Sequence, residues 1–117
     1  MTAEELKTRT KTYAVTIGKL TLALPYNPVN KVYINQIIRC SSSVAANYRA
    51  SRRAKSKPDF INKLKIVEEE LDESLFYLEM LVEFNENFKE QIEKIYSEGE
   101  ILLRIIVATL VTVRNKK

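Results

Sequence analysis

The three prolines of this 117-residue chain fall at only two places, Pro25 with Pro28 and then Pro58, and the chain holds just two glycines. A chain punctuated so rarely must run in long uninterrupted segments, and their apolar spacing says which kind. From Ala3, the positions Leu6, Thr10, Tyr13, Ile17, Leu20 and Leu24 follow steps of three and four, which keep side chains on one helical stripe. This predicts a first helix over about 3 to 24. Two prolines and two asparagines in "LPYNPVN" make a turn, with Asn30 as the expected N-cap of a second helix from about 31 to 54. Its inward stripe is Ile34, Ile37, Ser41, Val44, Tyr48 and Ser51. Pro58 or Asp59 opens a third helix that reaches about Phe84 on Phe60, Leu64, Val67, Leu71, Leu78 and Leu81. A fourth runs from about Phe88 to Val113 on Ile92, Ile95, Gly99, Leu102 or Leu103, Ile106, Leu110 and Val113.

Four amphipathic helices joined by turns too short for crossovers predict an all-α fold, an antiparallel up-down-up-down four-helix bundle. At 13.5 kDa the chain is expected to be a single domain, 1-117, because halves would be too small for separate cores.

The composition narrows the chemistry. There is no histidine, so imidazole serves neither as base nor as ligand, and the Glu-x-x-His signature of di-iron bundles is absent. The "SSS" at 41 to 43 has no adjacent base, the acid runs at 68 to 73 resemble solvated helix faces, and two glycines cannot build a phosphate-binding loop. The expectation is no enzyme, with no catalytic residues, no cofactor and no metal. Cys40 beside Arg39 reads either as an activated thiol or as a small core residue, the second being the better fit. A lone cysteine and the lack of an apolar leader point to a reducing cytoplasm. "ILLRIIVATLVTV" is too short and too interrupted to span a membrane.

Charge is laid out in blocks. Residues 1 to 57 hold 11 Lys/Arg against 2 Asp/Glu, residues 58 to 99 hold 4 against 12, and the remainder 4 against 1. Such blocks arise from helices that complement one another, or from a footprint for a polyanion. On helix 2 the wheel aligns Arg39, Arg49 and Arg53 outward, with Arg52 at the flank and Lys55 and Lys57 in the loop. These six are the candidate nucleic-acid-binding residues, RNA or DNA. In the other reading, the better fit for these two, Arg49 and Arg53 pair with Glu69 and Glu73 within the subunit or across an interface and leave Arg52, Lys55 and Lys57 as the exposed basic rim; a bundle whose arginines are consumed in this way docks a protein partner instead. Helix 3 carries a second stripe, Ile66, Glu69, Glu73, Phe76, Tyr77, Met80 and Phe84, opposite its core stripe. Apolar patches of that kind are rare on monomers, so the stripe is the candidate interface of a homo-oligomer. The small residues Ser43, Ala46 and Asn47 are expected to admit a neighbouring helix at close range.

From Gln36 to Leu81 the chain reads "QIIRCSSSVAANYRASRRAKSKPDFINKLKIVEEELDESLFYLEML". Gln36 and Arg39, the "SVAAN" of Ser43 to Asn47, Arg53 and Ser56, Asp59 and Phe60, and the acidic repeat of helix 3 resemble the bacterial four-helix bundle proteins encoded by intervening sequences of large-subunit ribosomal RNA genes. Many members continue "NIAEG" where this chain has "NYRAS". The resemblance implies a homopentamer, bundles arranged as a barrel. A related branch is the accessory protein of diversity-generating retroelements, a basic pentamer that binds nucleic acid and a reverse transcriptase.

Overall fold

The computed structural model describes residues 1 to 116. Helices α1 (Ala3–Ala23), α2 (Pro28–Ser51), α3 (Lys57–Phe84) and α4 (Lys89–Asn115) follow in order, with a single 3₁₀ turn at Glu86–Phe88 before α4. There is no strand among the described residues.

Each of the first three helices starts where a side chain can take up its unpaired backbone N–H groups. Thr2 and Glu5 form a reciprocal capping box at α1, the Glu5 amide donating to Thr2 Oγ1 at 3.0 Å and the Thr2 amide to Glu5 Oε1 at 3.3 Å. At α2 the cap is Asn27, whose Oδ1 accepts the Asn30 amide at 2.8 Å, and Pro28 occupies the first turn. The helix thus begins three residues earlier than the expectation built on Asn30. Proline costs nothing at a position whose N–H is unpaired in any helix. Ser56 caps α3 through the Asp59 amide at 3.2 Å. α2 ends at Ser51 rather than Ala54, and the Arg52, Arg53 and Ala54 amides donate to the Arg49, Ala50 and Ser51 carbonyls to close a short turn.

Asn30 has a different task. It is fully buried, and its side-chain amide exchanges two 2.8 Å hydrogen bonds with that of Asn85. The remaining amide protons go to the Pro25 and Leu81 carbonyls at 2.9 and 2.8 Å. A buried amide pair is stable only when all its groups are satisfied, and this one ties the α1–α2 turn to the end of α3.

All four helices feed one apolar cluster, including Tyr13, Ile17, Ile37, Val44, Leu64, Leu71, Leu78, Leu102 and Ile106. The helices touch through particular pairs. Arg39 of α2 reaches Glu70 and Glu73 of α3, and Arg52 lies over the Phe60 ring. Arg9 of α1 clasps Glu98 of α4 with two bonds of 2.6 and 2.7 Å, and the Glu79 carboxylate of α3 accepts the Tyr96 hydroxyl at 3.0 Å. Where α1, α3 and α4 converge, Gly99 admits the Tyr13 ring, whose hydroxyl sits 2.7 Å from Ser74 Oγ. Burial raises the Tyr13 pKa, keeping the phenol neutral. The molecule is a rod of about 50 × 21 × 20 Å.

Among the described residues no helix is long and apolar enough to cross a membrane. α4 buries Ile95, Leu102, Ile106 and Leu110 but leaves Ile101, Val107 and Val111 partly in solvent, so only one of its two apolar sides is covered within the protomer.

Candidate nucleic-acid interface

The six cations singled out on α2 and its following loop separate into two groups. Arg39 leans toward α3. Its Nη1 donates to Glu70 Oε2 at 3.0 Å and its Nη2 to Glu73 Oε1 at 2.6 Å, while Nε reaches Gln36 Oε1 at 3.4 Å. The attraction of Glu70, then of Glu73, raises its pKa further, so the guanidinium is a permanent cation already matched by two carboxylates. Half of this side chain is exposed, so the pair adds little to stability, yet it occupies the donors a phosphate would need.

Arg49, Arg52, Arg53, Lys55 and Lys57 form the second group. None makes an ion pair with a carboxylate among the described residues. The pairing of Arg49 and Arg53 with Glu69 and Glu73 is therefore not formed within the protomer, because Glu73 belongs to Arg39. The guanidinium of Arg52 lies 6.0 Å from the Phe60 ring centre, a cation–π contact that steadies it and leaves its charge uncompensated. Lys57 Nζ donates to the Lys116 carbonyl, fixing the start of α3 against the end of α4. Asp59 shapes the loop. Its carboxylate accepts Lys63 Nζ at 2.6 Å and the Lys55 backbone amide at 3.0 Å, which hold its pKa below the usual carboxylate range. The turn thus spends its one acid on its own backbone and on Lys63 and leaves the neighbouring cations facing solvent.

The second stripe of α3 also divides. Tyr77 and Phe84 lean toward α2, where their rings lie 6.2 and 6.0 Å from that of Tyr33, and Met80 is half-buried. Phe76 packs edge-on against Tyr77 at 5.3 Å and remains 51% exposed; Ile66 is 41% and Phe84 52% exposed. Glu69 is exposed, and Glu73 is half-buried against Arg39. The uncovered apolar part is thus Ile66, Phe76 and Phe84. Of the small residues Ser43, Ala46 and Asn47, Ala46 is exposed and the other two are half-buried, with Asn47 turning its amide back to the Ser43 carbonyl and hydroxyl, both at 2.9 Å. Ala46 is thus left uncovered by the other helices among the described residues.

Cys40 is buried, and desolvation, reinforced by Glu73 and Glu70, pushes its thiol up from 9.0 to about 12. The neighbouring Arg39 is too committed to those carboxylates to reverse this, so Cys40 is a protonated core side chain rather than a nucleophile. No group of three or more potential ligands able to hold a metal occurs among the described residues.

The sequence pattern of the family described as 23S rRNA-intervening sequence protein matches residues 4–108. The chain belongs to that family. A solved structure from Bacteroides thetaiotaomicron, a protein of unknown function from the S23 ribosomal protein family, is 31% identical, with 94% of this chain and 98% of that one covered at a TM-score of 0.82. No curated protein matches the sequence. For this member of the intervening-sequence family, the comparisons thus fix kinship and fold, and any role must come from the surfaces described above.

Proposed function

We propose that this intervening-sequence family protein is a non-enzymatic, cytoplasmic homo-oligomer, a pentamer as the family resemblance implies, that binds RNA or DNA backbone through the basic corner at the end of α2. The observation that carries this reading is the set of five cations at that corner, Arg49, Arg52, Arg53, Lys55 and Lys57, with no carboxylate partner among the described residues. Guanidinium and ammonium groups gathered around a helix end with no carboxylate beside them suit phosphate oxygens, contacts that carry no sequence information. The Asn30–Asn85, Arg39–Glu73 and Arg9–Glu98 contacts support the antiparallel up-down-up-down course. The exposed Ile66, Phe76 and Phe84 of α3 and Ile101, Val107 and Val111 of α4 support self-association, since each is a surface that water covers poorly. In an oligomer the corner is repeated, and modest sites gain from multivalency.

A protein-docking scaffold is the second reading, favoured by those same apolar faces and by the commitment of Arg39 to α3. Gel-shift titration against an RNA hairpin, a single strand and duplex DNA at 50 and 200 mM salt separates the two. Five phosphate contacts on duplex DNA predict an affinity loss on the order of several hundred-fold across that range. Binding that is absent at 50 mM, or indifferent to salt, leaves the scaffold.

A further inference from the structure

Beyond the corner, the basic surface continues onto a helix that the charge pattern of α2 does not reveal. Lys7, Thr8, Lys11, Thr12 and Val15 of α1 face Arg49 of α2 across an open groove of about 480 Å³. Three cations and two hydroxyls line it, with no carboxylate. The neighbouring grooves differ in this respect. The one at the α1 start, which shares Thr8 and Thr12, includes Glu4 and Glu5, and one between α1 and α4, which shares Thr12, includes Glu98. The other α1–α4 groove sets Lys19 and Lys94 beside the apolar Leu20, Ala23 and Ile95.

The charges of the α1–α2 groove are available. Lys11 and Arg49 make no ion pair among the described residues, and Lys7 has only a 3.8 Å contact with the exposed Glu4. Lys7 and Lys11 are four residues apart, one above the other on a helix face, about 6 Å along the axis. Thr10, Thr21 and Thr109 turn their hydroxyls onto carbonyls of their own helices. Thr8 and Thr12 have no such partner among the described residues and are exposed, leaving two free hydrogen-bond donors beside the cations. Ammonium, guanidinium and hydroxyl donors converging without an acid make a site for a phosphate group.

We propose that the groove of Lys7, Lys11 and Arg49, with Thr8 and Thr12, is a phosphate-binding site that takes the backbone phosphates of a nucleic-acid strand. Arg49 belongs both to this groove and to the corner, so the strand passes from Arg52 and Arg53 into the groove without leaving the positive surface. The inference rests on the nucleic-acid reading above and extends its footprint to α1.

The test uses the full chain and a 12-nucleotide single-stranded RNA, comparing wild type with Lys7→Gln/Lys11→Gln and with Arg52→Gln/Lys55→Gln. All the changed side chains are on the surface, and mass and melting temperature verify that the fold is retained. The groove variant is expected to lose about tenfold or more in affinity at 50 mM salt and to flatten the logarithmic salt slope by about 1.4, the share of two phosphate contacts on a single strand. Wild-type affinity and slope in the groove variant, with weakened binding in the corner variant, would overturn the groove while leaving the corner intact. If wild type binds no RNA at 50 mM, the nucleic-acid reading fails, and inorganic pyrophosphate then decides the groove. Saturable amide shifts at Thr8 and Thr12 that vanish in the groove variant keep it as a phosphate site, and their absence overturns it.

Discussion

Gly99→Val is expected to cost about 3 kcal/mol of stability and to lower the melting temperature by roughly 10 °C or more. A Cβ at Gly99 would lie 2.7 Å from both Leu75 Cδ2 and Tyr13 Oη and 3.2 Å from Tyr13 Cε1. Both neighbours are side chains held from several directions. Tyr13 is buried and bonded to Ser74, whose own proton goes to the Leu71 carbonyl at 2.7 Å, so the tyrosine hydroxyl is the donor between the two. Moving Tyr13 therefore overpacks the junction of α1, α3 and α4 and strands a buried hydroxyl. Gly18 supplies the contrast. It too is helical, but nothing lies within 4 Å of a Cβ built there, so Gly18→Ala should stabilise by about 0.5 to 1 kcal/mol through helix propensity. Thermal melts of the two variants check both signs. Equal melting temperatures would contradict the packing described at Gly99.

The second large effect is on assembly. Ile66→Glu/Phe76→Glu should convert a particle of several times 13.5 kDa, five times for a pentamer, into a 13.5 kDa monomer by light scattering. Helical content should persist, because both side chains are substantially exposed in the protomer. Tyr77 and Met80, which the helix wheel places on the same stripe, are poorer probes. Tyr77 packs against Tyr33 and the core, so an acid there damages the protomer as well as any interface. A wild-type chain that is monomeric at micromolar concentration would refute self-association.

The fold was legible because its punctuation is sparse and its stripes are regular. A proline is accommodated without loss only in the first turn of a helix, and Pro28 and Pro58 both stand there. The error at the start of α2 has a simple origin. Asn27 and Asn30 are both chemically able to cap, and only the proline between them shows that Asn27 lies outside and Asn30 inside. The buried amide pair with Asn85 was not readable, since residues 55 positions apart meet only through tertiary packing.

The charged surface was legible as a list of residues but not as a set of partnerships. A helix wheel puts Arg39 and Arg49 on one outward face, yet it says nothing about which helix lies to either side. In the fold Arg39 falls toward the acids of α3 and Arg49 toward the lysines of α1. The acid runs of α3 hid the same distinction, because Glu70 and Glu73 face α2 whereas Glu69, one residue away, points to solvent. Neighbouring residues on a helix are 100° apart, enough to decide whether a carboxylate meets an arginine or water.

That division of the arginines is tested most directly by a pair of substitutions. Single-stranded RNA binding should be measured by titration at 50 and 200 mM salt for Arg39→Ala and for Arg49→Ala/Arg53→Ala, with mass and melting temperature recorded on the same samples. Arg39→Ala is expected to leave affinity and salt slope close to wild type, because its donors already hold Glu70 and Glu73. Arg49→Ala/Arg53→Ala is expected to keep mass and melting temperature while the slope falls by about 1.4. The contradicting result is the reverse: binding lost with Arg39→Ala, and retained in the Arg49→Ala/Arg53→Ala protein whose assembly loosens instead.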